Sequence, residues 1–195
     1  MKKHMKKILF ILMAGLLSFT SCSDFLDADN KSNVTSDKYF NTKDGFETLV
    51  NYAYAQMKTL YNGAPTMFNS GTDLYIRGRS AMPDQGLHAY ALLNAENATV
   101  SSFYTNCYKG IQAANCVLYY AKTVSADASF INLRSAEASF IRALYYFELV
   151  QQFGGVSLVK EYVNKIVTEV PRASTEETFQ FIIDELEALA VTSSP

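Results

Sequence analysis

The sequence has no tryptophan, and among 195 residues it has only two histidines, three cysteines and four prolines. Each scarcity narrows the chemistry. Without tryptophan, the large rings of any core must come from the 13 tyrosines and 13 phenylalanines. One histidine, His4, sits in the basic leader, which leaves His88 alone in a Gly/Pro-rich stretch, so no Ser/His/Asp set can be assembled. HExxH, CxxC and EF-hand spacings are missing, and with them the usual grounds for a metal site. No Walker loop occurs, and no cofactor is expected. Runs of basic residues are absent after the leader. Four of the 17 Lys and Arg lie in the first seven residues, so the rest of the chain is distinctly acidic against its 19 Asp and Glu. That balance argues against nucleic acid, whose binding depends on neutralising phosphates. Cys107 and Cys116 fall nine residues apart within one helical pattern. They would lie about 13.5 Å apart along the axis on opposite faces, beyond disulfide reach, and both read as small buried hydrophobes.

Long apolar runs are also lacking. The longest, Ile8–Leu17, has ten uncharged residues, too few to span a bilayer as a helix. Preceded by MKKHMKK and followed by Thr20, Ser21 and Cys22, it has the layout of an export signal. Two readings fit. In one, an ordinary signal is cleaved nearby and Cys22 is incidental. In the other, Cys22 becomes an acylated first residue, and two or more chains anchor the protein without spanning the membrane. The second reading divides the chain into a lipoprotein signal at 1–21, a lipidated polar tether at 22–36 and a helical domain at 37–195.

Within that domain, Phe46, Leu49, Val50, Ala53, Met57 and Leu60 recur at helical spacing after Thr42, and Asn62-Gly63 with Pro65 ends the pattern. Residues 62–100 are punctuated by Gly and Pro, with a short helix expected around Leu87–Leu93. A second long helix is expected from about Ser101 to Thr123, and a third from Ala128 to Phe153, closed by Gly154-Gly155. The segment VSLV, 156–159, reads as extended. Ser174 and Glu177 form a capping box for a last helix, with Phe179, Ile182, Ile183, Leu186 and Leu189 as its buried face. Ala114, Leu118 and Ala121, echoed by Ala136, Phe140 and Ala143, have the small–large–small spacing of a tetratricopeptide helix, a pattern any packed helix pair can show.

The succession CSDFLDADN, SDKYFNTKDGFETLVNYAYAQM, FYTNCYKGIQAANCVL, RSAEASFIRALYYFELVQQFGGVSLV and PRASTEETFQFIIDELEAL resembles the N-terminal part of a SusD/RagB-type outer-membrane lipoprotein of Bacteroidetes. Glu137–Val159 is the most specific block. Gly155 and Ser157 stand where that family usually has an acid and a proline. The resemblance implies an all-α fold of tetratricopeptide-like helix pairs with long irregular loops. It implies a non-enzymatic protein on the cell surface that captures a glycan or oligosaccharide and serves as a lid on a SusC-like TonB-dependent transporter. Members of that family are longer, so a missing C-terminal part is expected. The alternative is a helical-repeat lipoprotein that binds only protein partners.

A sugar presents hydroxyl edges and apolar C–H faces, so its site needs acids or guanidinium groups beside an aromatic ring. Asp73, Tyr75, Arg77 and Arg79 alternate along one short segment and would share a face of an extended strand. The competing reading has Tyr75 packed inward and Asp73 paired with an arginine to pin the loop. Asn69 and Tyr90 are lesser candidates. The acids Glu177, Asp184, Glu185 and Glu187 read as the solvated face of the last helix, and Glu137, Arg142 and Glu148 as ion-pairing groups rather than a site. Tyr145, Tyr146 and Phe147 read as helix-packing material.

Overall fold

A computed structural model describes residues 35–61, 66–73, 85–90, 93–94 and 96–192. Cys22 and the leader lie outside the described residues. Among the described residues there are seven helices and no named strand. In chain order they are α1 (Ser36–Phe40), α2 (Lys43–Tyr61), α3 (Thr66–Asn69), α4 (Gln85–Ala89), α5 (Ala98–Tyr120), α6 (Ala128–Phe153) and α7 (Thr175–Thr192). The all-helical expectation is met.

Local chemistry sets most of the helix ends. Thr42 starts α2: its hydroxyl accepts from Gly45 N at 3.1 Å and its carbonyl from Phe46 N at 2.9 Å. The α5 helix begins three residues earlier than its apolar pattern suggests. Asn97 Oδ1 caps it by accepting from Thr99 N and Val100 N at 3.0 and 3.1 Å. The α6 bounds coincide with the sequence expectation, and Gly154 ends it with a φ of 70°. At α7 both arms of the capping box form, Glu177 N to Ser174 Oγ at 3.0 Å and Ser174 N to Glu177 Oε2 at 2.7 Å.

The α5 helix packs on both α2 and α6, α2 also touches α6, and α7 packs on α6. The two central helices approach closely because Gly110 lies on the Tyr145 ring, where a Cβ would collide with the ring carbons. Around that contact the core is Phe46, Val50, Ile111, Val117, Ile141, Tyr146 and Leu149, all at most 2% exposed. Its rings form chains, such as Tyr61–Phe68–Phe103–Phe153, with centroids 5.5–6.2 Å apart. This places the Tyr/Phe-rich core where the absence of tryptophan implied it.

Three details differ from expectation. The tetratricopeptide spacing does not mark the contact: Ala114 and Ala143 are buried, but Phe140 is 49% exposed. Phe147 is exposed beside the buried Tyr145 and Tyr146. The buried face of α7 is Thr178, Phe181 and Ile182, continuing to Glu185 and Leu189, while Phe179, Ile183 and Leu186 face outward. Two polar residues on the inner face shift the apparent apolar phase by one position.

Residues 155–174 form an extended arm without a sheet. A single antiparallel bridge links Ser157 and Arg172. Between Ser157 and Val163 several of the arm's backbone groups are met by helix side chains. Tyr108 Oη donates to Ser157 O at 2.8 Å, and Tyr146 Oη donates to Val159 O and accepts from Val159 N. Asn115 Nδ2 donates to Val159 O and Glu161 O, and Gln112 pairs with both backbone groups of Val163. Buried peptide groups need such partners, and here α5 and α6 supply them.

Candidate functional site

The segment singled out from sequence is only partly described. Asp73 is exposed at the end of a turn in which Asn69 O accepts from Thr72 N and Thr72 Oγ1, the latter at 2.8 Å. Tyr75, Arg77 and Arg79 lie outside the described residues. The flanks of the region are joined by Tyr90, whose hydroxyl donates to Gly71 O at 2.9 Å. Tyr90 holds φ at 54°, an unusual value for a ring-bearing residue, and its side chain is 69% exposed. Asn69 contributes its carbonyl to the turn. His88 lies on α4 with a buried Nδ1 that meets no partner among the described residues.

The carboxylates do not assemble into an acid/base pair. Glu177 is engaged in the cap and Asp184 accepts from Gln180 Nε2 at 2.8 Å. Glu185 is not on the solvated face expected for it. It turns inward to Arg142, with Arg142 Nη2 at 2.6 Å and Nε at 3.0 Å from Oε2. Arg142 also donates to Asn115 Oδ1 and Lys160 O, so one guanidinium ties α5, α6, α7 and the arm together. Glu148, buried on α6, accepts from Tyr61 Oη at 2.7 Å. Arg134 bridges Glu47 and Glu137, which makes Glu137 part of an ion-pair cluster linking α6 to α2. Arg142 and Glu137 thus make the ion pairs expected of them, whereas Glu148 meets a tyrosine hydroxyl and Glu185 pairs inward.

The thiols are equally quiet. Burial, with Glu148 nearby, pushes the Cys107 thiol up to about 12. Burial also raises Cys116, although it is only half-buried rather than a core residue. Among the described residues, no cluster of His, Cys, Asp or Glu has metal-binding geometry, and no helix is long and apolar enough to cross a membrane.

Two concavities stand out. One, of about 540 Å3, lies between the arm and the start of α7 and is bordered by Lys160, Arg172, Glu177, Gln180 and Asp184 over Phe181. Its polar groups are largely spent. Arg172 donates to Gly155 O and Phe153 O, and Lys160 sits over the Phe181 ring at 5.0 Å. The other, of about 580 Å3, runs along α5 between α2 and the arm, walled by Tyr52, Tyr104, Tyr108 and Tyr162 over Leu49 and Ala113. Sequence reading missed this groove because its four tyrosines come from three elements. Only Tyr104 and Tyr108, four residues apart on α5, carried a local signal.

Comparison with known proteins places this geometry in context. A family model described as "Starch-binding associating with outer membrane", SusD-like, matches residues 24–192. SusD-like protein P2 of Formosa agariphila is 27% identical across 96% of this chain, and a SusD-like protein of Bacteroides ovatus is 26% identical across 95%. The chain spans 37% and 35% of the lengths of those relatives. Among solved structures, a laminarin-binding SusD-like protein superposes with a TM-score of 0.68 at 26% identity, over 76% of this chain and 33% of that one. A SusD superfamily protein from Parabacteroides distasonis gives 0.65 at 26% identity, over 80% and 34%. The helical stack, the arm and the sequence match from residue 24 to 192 agree: the chain belongs to the SusD-like family.

Proposed function

We propose that this chain is part of a cell-surface, glycan-capturing lipoprotein of the outer membrane that delivers oligosaccharide to a SusC-like TonB-dependent transporter. The observation that carries the reading is the family match over residues 24–192, supported by the likeness to a laminarin-binding neighbour. In this reading the protein is not an enzyme. It binds by desolvating sugar faces on aromatic rings and by hydrogen bonds at their edges. Acylated Cys22 attaches the protein, residues 22–36 form the tether, and Asp73, Tyr75, Arg77 and Arg79 contribute to the saccharide site.

The reading is tested with the full chain extracted from membranes in a detergent that carries no sugar headgroup. Saturable binding of laminarin or soluble starch, weakened by the Tyr75→Ala/Arg77→Ala double variant, is the expected result. Binding to neither polysaccharide, with a transporter still co-purifying, would instead establish a protein-interaction module. Cys22→Ser should release the protein from the membrane fraction, and its retention there would refute the lipid anchor.

A further inference from the structure

We infer that the tyrosine groove on α5 is a second saccharide-binding surface, one that takes the apolar faces of a linear oligosaccharide. The inference rests on the glycan-binding reading but concerns residues far in sequence from the Asp73–Arg79 segment.

The first argument is shape. The lining residues Tyr104, Tyr108, Gln112 and Cys116 follow one stripe of α5, about 18 Å long at helical rise. An open trough of that length suits a chain of sugar units better than a compact ligand. Its volume of about 580 Å3 lies within the range of ligand sites.

The second argument is the chemistry of the walls. Tyr52 is 54% and Tyr104 37% exposed, so ring surface faces water at the groove. The rings are held in place. Tyr104 lies edge-on to Phe153 at 5.1 Å and beside Tyr108 at 4.9 Å, and Tyr162 lies beside Tyr119 at 5.4 Å. Tyr108 is fixed further by its bond to Ser157 O. Pre-set rings lose little freedom on binding, which favours affinity.

The third argument is the supply of polar edges. The Tyr52 hydroxyl, Thr105 Oγ1 and Lys109 Nζ border the groove without a partner among the described residues. Tyrosine faces flanked by uncommitted donors match the alternating C–H faces and hydroxyl rims of a sugar chain. A helix-binding groove would instead need deep aliphatic pockets, and here Leu49 is the only branched aliphatic side chain lining the groove among the described residues. The polar concavity beside Phe181 lacks this combination because its charged groups already bond to the protein.

The test uses laminarihexaose and maltohexaose as probes and the same detergent-extracted full chain. The chain has no tryptophan, so its intrinsic emission comes from its 13 tyrosines, four of which line the groove, and the share that belongs to the groove is the part lost in the Tyr52→Ala/Tyr104→Ala variant. Titration should change that emission saturably, and calorimetry should give the affinity. Tyr52→Ala, at an exposed position, and Tyr52→Ala/Tyr104→Ala should weaken binding, the double variant by roughly tenfold or more. The paired Phe variants should retain most of the affinity, and Tyr54→Ala, exposed on α2 outside the groove, should leave it unchanged. Unchanged affinity in both Ala variants, with Tyr75→Ala/Arg77→Ala abolishing it, would overturn the second site and leave the glycan reading intact. A Tyr52→Ala variant that splits a dimer without altering affinity would also overturn it. Failure of the unaltered chain to bind any saccharide would overturn both readings.

Discussion

Arg142 shows what one side chain does at the junction of four segments. Its own exposure is 7%, and its guanidinium meets Glu185, Asn115 and Lys160 O, with the Phe181 ring 5.5 Å away. Replacing it by alanine strands the inward-facing Glu185 carboxylate and frees two acceptors. Removing one partner of a buried pair typically costs about 3–5 kcal/mol. Arg142→Ala should therefore lower the urea midpoint sharply, and Arg142→Ala/Glu185→Leu should recover part of the loss, because no unpaired charge remains. Equal stability of the single variant and the parent would show that the pair contributes nothing.

Tyrosine protons set a pH limit. Burial raises the hydroxyls of Tyr61, Tyr108, Tyr145 and Tyr146, and a hydrogen bond to Asp37 Oδ1 at 2.6 Å raises that of Tyr120. A folded-state pKa above the unfolded one leaves stability intact below the unfolded value, which is 10.0 for tyrosine. Above it the unfolded chain loses protons that the folded chain keeps, so stability falls as pH rises. Thermal midpoints should be insensitive to these groups up to about pH 10 and drop beyond it, with the last portion of the tyrosinate absorbance, that of the buried rings, appearing together with unfolding. Ionisation of Tyr108, Tyr120, Tyr145 and Tyr146 in a still-folded chain, read as tyrosinate absorbance that reaches its full amplitude before unfolding, would contradict this assignment.

At the scale of elements, what the sequence makes legible depends on whether polar residues sit where their type suggests. The α6 bounds were readable because a continuous periodic run meets Gly154. The start of α5 was not, because Asn97 lies in an irregular stretch and its capping role shows only in its bonds to Thr99 N and Val100 N. The inner face of α7 was misread by one position because Thr178, which is buried, and Glu185, which is partly buried, lie there. Thr178 spends its hydroxyl on Ser174 O and Glu185 its charge on Arg142, and neither pairing is visible in a periodicity. For the candidate site, Asp73, read from sequence on an extended strand, stands at the end of a turn while its three companions lie outside the described residues, and the tyrosine groove required knowing which helices adjoin. The capping box of α7 was read directly, and it makes its own prediction. Ser174→Ala removes the acceptor for Glu177 N and should cost about 1 kcal/mol, seen as faster amide exchange in the first turn of α7. Exchange unchanged from the parent would show that the backbone alone fixes this end.

Across the whole molecule, apolar surface is unevenly distributed. Phe179, Ile183 and Leu186 recur at helical spacing on the outward side of α7, each 38–45% exposed. Contiguous exposed patches of this kind mark contact surfaces. Residues 23–195 prepared alone should self-associate with rising concentration, and Phe179→Glu/Ile183→Lys should reduce the sedimentation coefficient toward the monomer value. A soluble, cooperatively melting monomer of the unaltered 23–195 chain would refute this.

The arm between α6 and α7 has a further consequence. Its peptides are fastened at Ser157, Val159, Glu161 and Val163 by side chains rooted at fixed heights on rigid rods, not by a ladder that can slip and pair again. Change of identity is therefore cheap where a side chain turns to solvent, as at Glu161 and Lys165. Change of length is not. One residue inserted or deleted between Ser157 and Val163 would throw every downstream fastening out of step at once, so evolution can recolour the outward positions of this ribbon but cannot recut it.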